Sequence, residues 1–570
     1  MYHFFNTVIK MELNEIKTRN ELADFLHIER KTLTNVLYNI HVDSYYYSFE
    51  IPKKSGGSRK IHAPQNVLKI IQKKLSTALY NYRDYICKEN NINLNISHAF
   101  EKNKGIITNA FIHKNKRYII NIDLKDFFES FHFGRIRGFF EKNKYFQLPL
   151  EVSTIIAQLV CYNGKLPQGA PTSPIIANFI CNVLDYKILQ LAKKYHLDYT
   201  RYADDLTFST NDKKFLDKYE QFYNDLNKIT SKNGFEINTK KTRIVYYNSR
   251  QTVTGLVVNK KININHLYYK KIRAMANTLY KTGSYFINEN IGNIKQLEGC
   301  FSFINEIDKY NNKIQNKTEK KFFNLCSREK EFQKFLFYKY FYMNSKPLVV
   351  TEGKTDIIYI KCALKKLYKD YPYLIEKKSD GKFEFKVSFL KRSKRLRFFF
   401  NISLDGADAM SNIYYFYSDY NNKKIYPNYF EYFNKISCSK PKAPIVLVFD
   451  NELKTKGKPL NKFSDICKCN FEDFNNGGKA RIIDNSNLYL VTHQVVKGNE
   501  SEIEDLFDSD VLKHKINGKR FCRKPAYDIN KYYGKDHFSQ YILSNYENID
   551  FSNFKPLLDN INDIICDYEG

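Results

Sequence analysis

No stretch of the 570-residue chain approaches the ~18–20 consecutive apolar residues that a membrane helix needs, so no membrane partner is expected. The opening MYHFFNTVIKMELNEIK lacks the apolar segment and small-residue cleavage site of a signal peptide, and a cytoplasmic location is expected. There is no internal repeat with a period of ~20–50 residues, which excludes solenoids and propellers. The 11 cysteines are odd in number and scattered, and a chain this long needs no disulfide framework. The closest pair, Cys467 and Cys469, forms a C-x-C with the wrong spacing for a zinc knuckle. Tryptophan is absent, and acidic residues are in deficit.

What is present points to a basic, globular, multidomain protein. At ~150 residues per domain the length suggests about three or four units. Apolar residues at 43% can bury real cores, so disorder is not the default. The 91 basic residues exceed the 61 acidic ones by 30, an excess that suits a polyanionic partner better than a neutral small substrate. Lysine-rich compositional drift supplies part of that excess. Phe and Tyr add a further 16%, and rings interleaved with cations suit nucleic acid, where charges meet phosphates and rings stack on bases.

Along the chain, residues 12–40 carry apolar positions at helical spacing and read as two short helices. FEIPKKSGGSRKIHAP (49–64) is a hairpin signature with Gly56-Gly57 at its turn. Helical patterns then alternate with β-rich runs at 117–124 and 197–209. A polar stretch, DKYNNKIQNKTEK (308–320), reads as a boundary or an exposed helix. At Lys346 the pattern restarts: PLVVTEG is a buried-type strand running into a turn, and a helix follows. A second such strand, PIVLVFD, lies at 444–450, and the alternation suggests a separate α/β domain.

The strongest chemical signal is Tyr202-Ala203-Asp204-Asp205 between β-rich runs. Two adjacent carboxylates cannot both enter an apolar core without severe desolvation, although a D-D pair alone is common in solvated turns. Context sharpens it. Asp123 sits about eighty residues upstream, between a β-rich run and a helix, and LPQGAPTSPIIANFIC (166–181) lies between the two. Three carboxylates on neighbouring strands can hold two Mg²⁺ ions ~3.5–4 Å apart. One ion would acidify an attacking 3′-hydroxyl, and the other would stabilise a leaving pyrophosphate.

The hairpin, the Asp123 strand, the L-P-Q-G-x-P loop, Y-x-D-D and GFEINTKKT (234–242) occur in an order that resembles a reverse transcriptase. The resemblance implies an α+β right-hand polymerase of fingers, palm and thumb. It casts Asp123, Asp204 and Asp205 as catalytic metal ligands. Phe128 would lie under the deoxyribose and select dNTPs, whereas Phe127 reads as a core residue. Arg59 would grip the triphosphate, with Lys53 as a helper, and Gln168 and Gly169 would line the nucleotide pocket. Lys240 or Lys241 would protonate pyrophosphate or remain a solvated lysine. Two further motifs resemble the retron branch: N-A-x-x-H at 109–113 and V-T-G at 253–255. They mark Asn109, His113, Thr254 and Gly255 as candidate RNA-binding residues, although His113 also reads as a satisfied surface histidine. Retron membership implies a cognate non-coding RNA that is both template and primer, and a branched RNA-linked DNA product (msDNA).

In KPLVVTEGKTDIIYIKCAL (346–364) an apolar strand ends in Glu352-Gly353, and Asp356 opens the next helix. PIVLVFDNEL (444–453) ends a second strand with Asp450 and Glu452, which alternate and so project to one side. One Glu plus a D-x-[D/E] pair suits Mg²⁺ or Mn²⁺ with a carboxylate to spare for acid–base work. This arrangement resembles a TOPRIM domain of the OLD-like nuclease branch, an α/β Rossmann-like fold. NISLDGADAMSNIYYFY (401–417) would be its middle strand–turn–helix. Glu452 departs from the Asp that many members carry, and Glu504 in ESEIEDLF is a candidate extra ligand or a solvated acid.

The expected organisation is an N-terminal helical segment (1–48), fingers and palm (49–260), thumb and linker (261–345), a TOPRIM domain (346–510) and a C-terminal extension (511–570). The function these resemblances imply is retron DNA synthesis joined to a nuclease effector of antiphage defence. Two alternatives stay open: a TOPRIM module that binds or processes nucleic acid without toxicity, and a group II intron-like or other prokaryotic reverse transcriptase. Oligomeric state is open too.

Overall fold

The computed structural model describes residues 12–569 except 54–55, 93–94, 315–321, 404–405, 407, 420–424, 470, 472–473, 475–476, 497–498 and 525. The first eleven residues of the chain and the second half of the polar 308–320 stretch therefore lie outside the described residues. The chain forms two compact units, residues 1–265 and 266–570.

The first unit opens with α1 (Arg19–Phe25) and α2 (Arg30–Thr34), the two short helices expected. The Thr18 hydroxyl caps α1 by accepting the Glu21 N–H. Strands β1 (Tyr46–Pro52) and β2 (Ser58–Pro64) pair as the expected antiparallel hairpin, turning through Gly56 and Gly57 at φ 88° and 75°. Helix α3 (Asn66–Glu89) buries Leu68, Ile71, Leu75, Leu79 and Ile86, one face at helical spacing. After α4 (Ile106–Ile112) comes β3 (Tyr118–Lys125), the central strand, buried along nearly its whole length.

Helices α5 (Phe133–Lys142), α6 (Leu150–Val160) and α7 (Ser173–Lys194) follow. By length and composition α7 could cross a bilayer, but it is a core helix, burying Ile175, Ile176, Phe179, Leu184 and Ile188. Then come β4 (Asp198–Tyr202), β5 (Asp205–Thr210), α8 (Phe215–Lys232), β6 (Glu236–Ile237) and β7 (Arg243–Tyr246). The antiparallel sheet runs β4-β5-β3-β6, with β7 also paired to β3. A tight hairpin, β8 (Thr252–Val253) and β9 (Leu256–Val257), closes the unit, its turn residues Thr254 and Gly255 both at positive φ.

The second unit begins with α9 (His266–Thr282), the hairpin β10 (Phe286–Ile287) and β11 (Asn290–Ile291), α10 (Ile294–Ile314) and α11 (Ser327–Phe337). Next come β12 (Leu348–Thr351), α12 (Lys354–Lys366), the hairpin β13 (Ile375–Lys377) and β14 (Phe383–Phe385), β15 (Ser388–Phe389), and helices α13 (Lys394–Phe400), α14 (Asp408–Tyr415) and α15 (Tyr429–Ile436). Strand β16 (Ile445–Phe449), α16 (Pro459–Cys467), β17 (Gly478–Arg481) and β18 (Leu488–Thr492) follow. The chain ends through α17 (Ser509–Leu512), β19 (Arg520–Phe521), β20 (Tyr532–Tyr533), α18 (Lys535–Asn545) and α19 (Lys555–Glu569).

The sheet order is β15-β12-β16-β18-β17, parallel except at β17. Strands β12, β16 and β18 are buried at every position, as runs of Val, Ile and Leu covered on both faces must be. Two expectations need correction here. The strand beside β12 is β15 at 388–389, and the described residues of 401–403 form none; α14 supplies the expected helix. Nor does residue 510 end a domain. Phe538, Ile542, Leu557, Ile561 and Ile565 share one core with Val349, Tyr359, Val446 and Val491, so the C-terminal extension covers the sheet. The helices before β12 also pack into this unit: Tyr280 meets Phe433 at 5.0 Å, Phe332 meets Phe399 at 4.9 Å, and Phe337 meets Tyr417 at 5.2 Å between ring centres.

Candidate active sites

The β3–β5 register sets Asp123 directly opposite Asp205, and the Leu124 N–H donates to the Asp204 carbonyl at 2.9 Å. All three carboxylate-bearing residues thus gather at one end of the first sheet. The β4–β5 turn needs a left-handed residue, and Ala203 takes φ 56° there. Burial, then the Asp123 charge, raises the Asp204 carboxyl above its ordinary range, while Lys241 and Arg59 oppose the shift. The Asp205 carboxyl is pushed up to about 7 by desolvation, then by Asp204 and Asp123. Asp123 is 8% exposed, and Lys241 donates to both its oxygens at 2.9 and 3.0 Å, with Asn238 Nδ2 at 3.1 Å.

An all-oxygen donor set whose members repel one another fits a hard divalent cation. Among the described residues, however, no group of three or more His, Cys, Asp or Glu side chains is gathered closely enough to enclose a metal at either site.

The other residues expected at the nucleotide site lie as follows. Arg59 is exposed on β2, and its charge reaches Asp204. The Gln168 carbonyl accepts the His62 N–H at 2.9 Å, which ties the L-P-Q-G loop to the hairpin beside Arg59. Gly169 follows at φ 126°. The Phe128 ring is half-buried, whereas Phe127 is 4% exposed and packs on Phe131 and Phe235. Lys240 is exposed, and it is its neighbour Lys241 that engages Asp123.

Two of the proposed RNA contacts are corrected by burial. Asn109 and His113 are each 0% exposed and have no surface to offer an RNA. His113 spans the sheet from behind, Nδ1 to the Ser209 hydroxyl and Nε2 to the Thr200 hydroxyl, both at 2.7 Å. The Thr254 hydroxyl donates to the Ile106 carbonyl at 3.3 Å, so the V-T-G turn packs on the N-A-x-x-H helix α4. Together the two motifs buttress the palm; Gly255 alone among the four is exposed.

In the second unit Glu352 follows β12 and Asp450 follows β16, at the carboxyl ends of adjacent parallel strands. The Asp450 N–H donates to Glu352 Oε1 at 3.0 Å, and Asp450 Oδ1 accepts the Ile503 N–H at 2.8 Å. Burial and then Asp450 raise the Glu352 carboxyl well above its ordinary value. Glu452 pairs with Lys458, yet its charge still registers at Glu352.

Four participants carried little or no signal in the sequence. Asp356 caps Gly353 N–H at 2.7 Å, and burial, then Asp450, pushes it up to about 6. Glu504 is 0% exposed and is pushed up to about 7 by burial. Lys535, from the start of α18, reaches Glu502 and Glu504 at 3.1 Å each. Arg392 donates to the carbonyls of Thr351 at 2.6 Å and Glu352 at 2.8 Å, bracing the strand end. Only Asp356 and Glu504 were visible beforehand, as a helix opener and an acidic run; the two cations stand in segments with no motif of their own.

The first unit, with a carboxylate turn on an antiparallel sheet and a hairpin tied to the L-P-Q-G loop, has the parts of a template-directed polymerase. A family model described as "Reverse transcriptase (RNA-dependent DNA polymerase)" matches residues 51–317. The retron Ec86 reverse transcriptase of Escherichia coli is 34% identical over 293 residues, 51% of this chain and 85% of that protein. The retron Mx65 reverse transcriptase of Myxococcus xanthus is 31% identical over 278 residues, 45% of this chain and 62% of that one. A solved telomerase from Candida albicans superposes over 52% of this chain and 60% of its own at 14% identity, with a TM-score of 0.31. The chain belongs to the retron reverse transcriptase family. A reverse transcriptase domain generally uses Mg²⁺ in its polymerase site.

Proposed function

We propose that this chain makes branched, RNA-linked msDNA from a cognate non-coding RNA, using dNTPs, and carries a metal-dependent nuclease in its second unit. In this reading Asp123, Asp204 and Asp205 hold Mg²⁺, which would acidify the primer hydroxyl and neutralise the leaving pyrophosphate. Arg59, Gln168, Gly169 and Phe128 form the nucleotide pocket, and Lys241 rather than Lys240 stands by as a proton donor. The thumb, rich in Lys and Tyr, holds the RNA by charge and stacking.

For the second unit, the observation that carries the reading is the Asp450 N–H on the Glu352 carboxylate at 3.0 Å, across adjacent parallel strand ends. Open parallel sheets place their chemistry at such ends. A TOPRIM-like domain with Glu352, Asp450 and Glu452 as Mg²⁺ or Mn²⁺ ligands would hydrolyse a phosphodiester. The reverse-transcribed DNA and its RNA would restrain this nuclease in the bacterial cytoplasm until a phage disturbs them. A net charge of +30 favours retention of a polyanionic product at moderate salt.

The test is expression with flanking DNA, followed by sequencing of the bound nucleic acid before and after debranching. Asp204→Asn should keep RNA and lose all DNA. Glu352→Gln should keep msDNA and lose metal-dependent cleavage and toxicity; undiminished cleavage by that variant would remove the nuclease reading.

A further inference from the structure

Beneath the carboxylate turn lies an arginine with no contact to solvent. Arg201 is 0% exposed and Asp185, on α7, is 3% exposed. They meet as a two-pronged pair, Nε to Oδ1 and one terminal nitrogen to Oδ2, each at 2.8 Å. The same nitrogen donates to Asn178 Oδ1 at 3.2 Å, and the Tyr199 hydroxyl donates to Asp185 at 2.9 Å. Asn178 in turn donates to the Ala99 carbonyl and to Glu101, which pairs with Arg83 at 2.6 Å. The network therefore joins α3, the 96–101 loop, α7 and β4. The other terminal nitrogen of Arg201 donates to the Ala203 carbonyl at 3.3 Å, in the turn that carries Asp204 and Asp205.

A buried ion pair of this kind is seldom a source of net stability, because desolvating two charges costs about as much as their attraction returns. Ala203 adds a local cost of its own, since its left-handed φ of 56° is an unfavourable conformation for a residue with a Cβ. Something must hold that carbonyl. We propose that Arg201 is a positioning residue of the polymerase site: braced by Asp185 and Asn178, its guanidinium holds the Ala203 carbonyl and so fixes where the Asp204 and Asp205 carboxylates lie. Because α7 begins directly after the L-P-Q-G loop, the same arginine locks the carboxylate turn to the helix that follows the nucleotide loop. Lysine keeps the charge but not the planar fork, so its single nitrogen cannot reproduce the two-pronged pair with Asp185 while also reaching the Ala203 carbonyl.

The test measures primer extension by the full chain with its RNA, as kcat, the KM for dNTP and the Mg²⁺ concentration at half-maximal rate. Arg201→Lys is expected to lose about 10–100-fold in kcat, the scale of a small misplacement of reacting groups, and to need several-fold more Mg²⁺. Its KM for dNTP should move less than kcat. Adding Ala203→Gly, which removes the Cβ penalty of the left-handed turn, should recover part of the lost kcat. Where Arg201→Lys fails to fold, the apolar pair Arg201→Met/Asp185→Leu, a replacement that buried ion pairs often tolerate, takes its place with the same expected losses. Wild-type kcat and Mg²⁺ dependence in a folded variant, or a loss that Ala203→Gly leaves untouched, would overturn the proposal and leave the pair as structural cement.

Discussion

Gly169 lies against His62 so closely that a Cβ on it would stand 2.7 Å from the His62 carbonyl oxygen and 2.7 Å from Ile61 Cγ2. Its φ of 126° is itself a conformation that side chains resist. Gly169→Ala should therefore push the loop off the hairpin, breaking the His62–Gln168 backbone bond. A cost of about 1–3 kcal/mol from conformation alone is expected, with more from the clash. The prediction is a KM for dNTP raised at least about tenfold, with a smaller change in template RNA retention, read by primer extension and filter binding.

Neighbouring phenylalanines should give opposite phenotypes. Phe128→Ala removes a half-buried ring at the proposed sugar position and should raise ribonucleotide incorporation at least about tenfold relative to dNTPs, with little loss of stability. Phe127→Ala should instead cost about 3–5 kcal/mol of stability, because it empties a site packed by Phe131 and Phe235. Competition assays and thermal melts separate the two.

Acid should weaken the first unit through two histidines behind the palm. Burial first, with Lys104 adding, pushes His98 down to about 4; burial, with His98 and Lys116 adding, pushes His113 down to about 3. In the unfolded chain each titrates near ~6.5, so the unfolded state takes up the proton first. Stability from these groups is complete above that pH and is lost as pH falls toward the folded values, by at most about 1.4 kcal/mol per pH unit each. Melting should occur at lower temperature near pH ~5 than near ~7.5, with a smaller difference in His98→Asn. An equal difference in that variant would show that other groups govern the acid response.

Lys535 supplies the cation for a carboxylate that water does not reach. Lys535→Ala leaves Glu504 uncompensated at 0% exposure. The lysine side chain is 35% exposed and partly screened by solvent, so the expected cost is about 1–3 kcal/mol, less than that of breaking a fully buried pair. Lys535→Ala/Glu504→Gln should recover most of the lost melting temperature. Absence of any loss in the single variant would mean that the start of α18 does not close this site.

The polymerase half was legible because its chemistry is local in sequence. Y-A-D-D, the Gly56-Gly57 hairpin and the Asp123 strand each announce themselves within about ten residues, and strand register then brings them together. The adjacency of Glu352 and Asp450 was legible for a similar reason: each ends a run of buried β-branched residues, and parallel strands align their ends. What escaped was whatever depends on distant segments. Lys535 lies about 180 residues beyond Glu352, in a polar stretch with no pattern of its own. Asn109 and His113 were misread because a motif shows residue type but not burial, and the groove behind the sheet that receives α4 exists only after folding. The middle strand–turn–helix was placed at 401–417, yet it is Ser388 and Phe389 that pair with β12, and of the three parts only the helix falls within 401–417.

The ring-on-ring seam between α9–α11 and the sheet helices has a consequence for how such a protein can be divided. A cut at residue 346, where the sequence pattern restarts, would strip Phe332 from Phe399 and Phe337 from Tyr417 and Phe433, leaving two greasy faces that no solvent tolerates. The family match runs to residue 317, across the boundary at 265 between the units. Any exchange of the downstream cargo between relatives must therefore carry the three preceding helices with it, or re-engineer the joint they share.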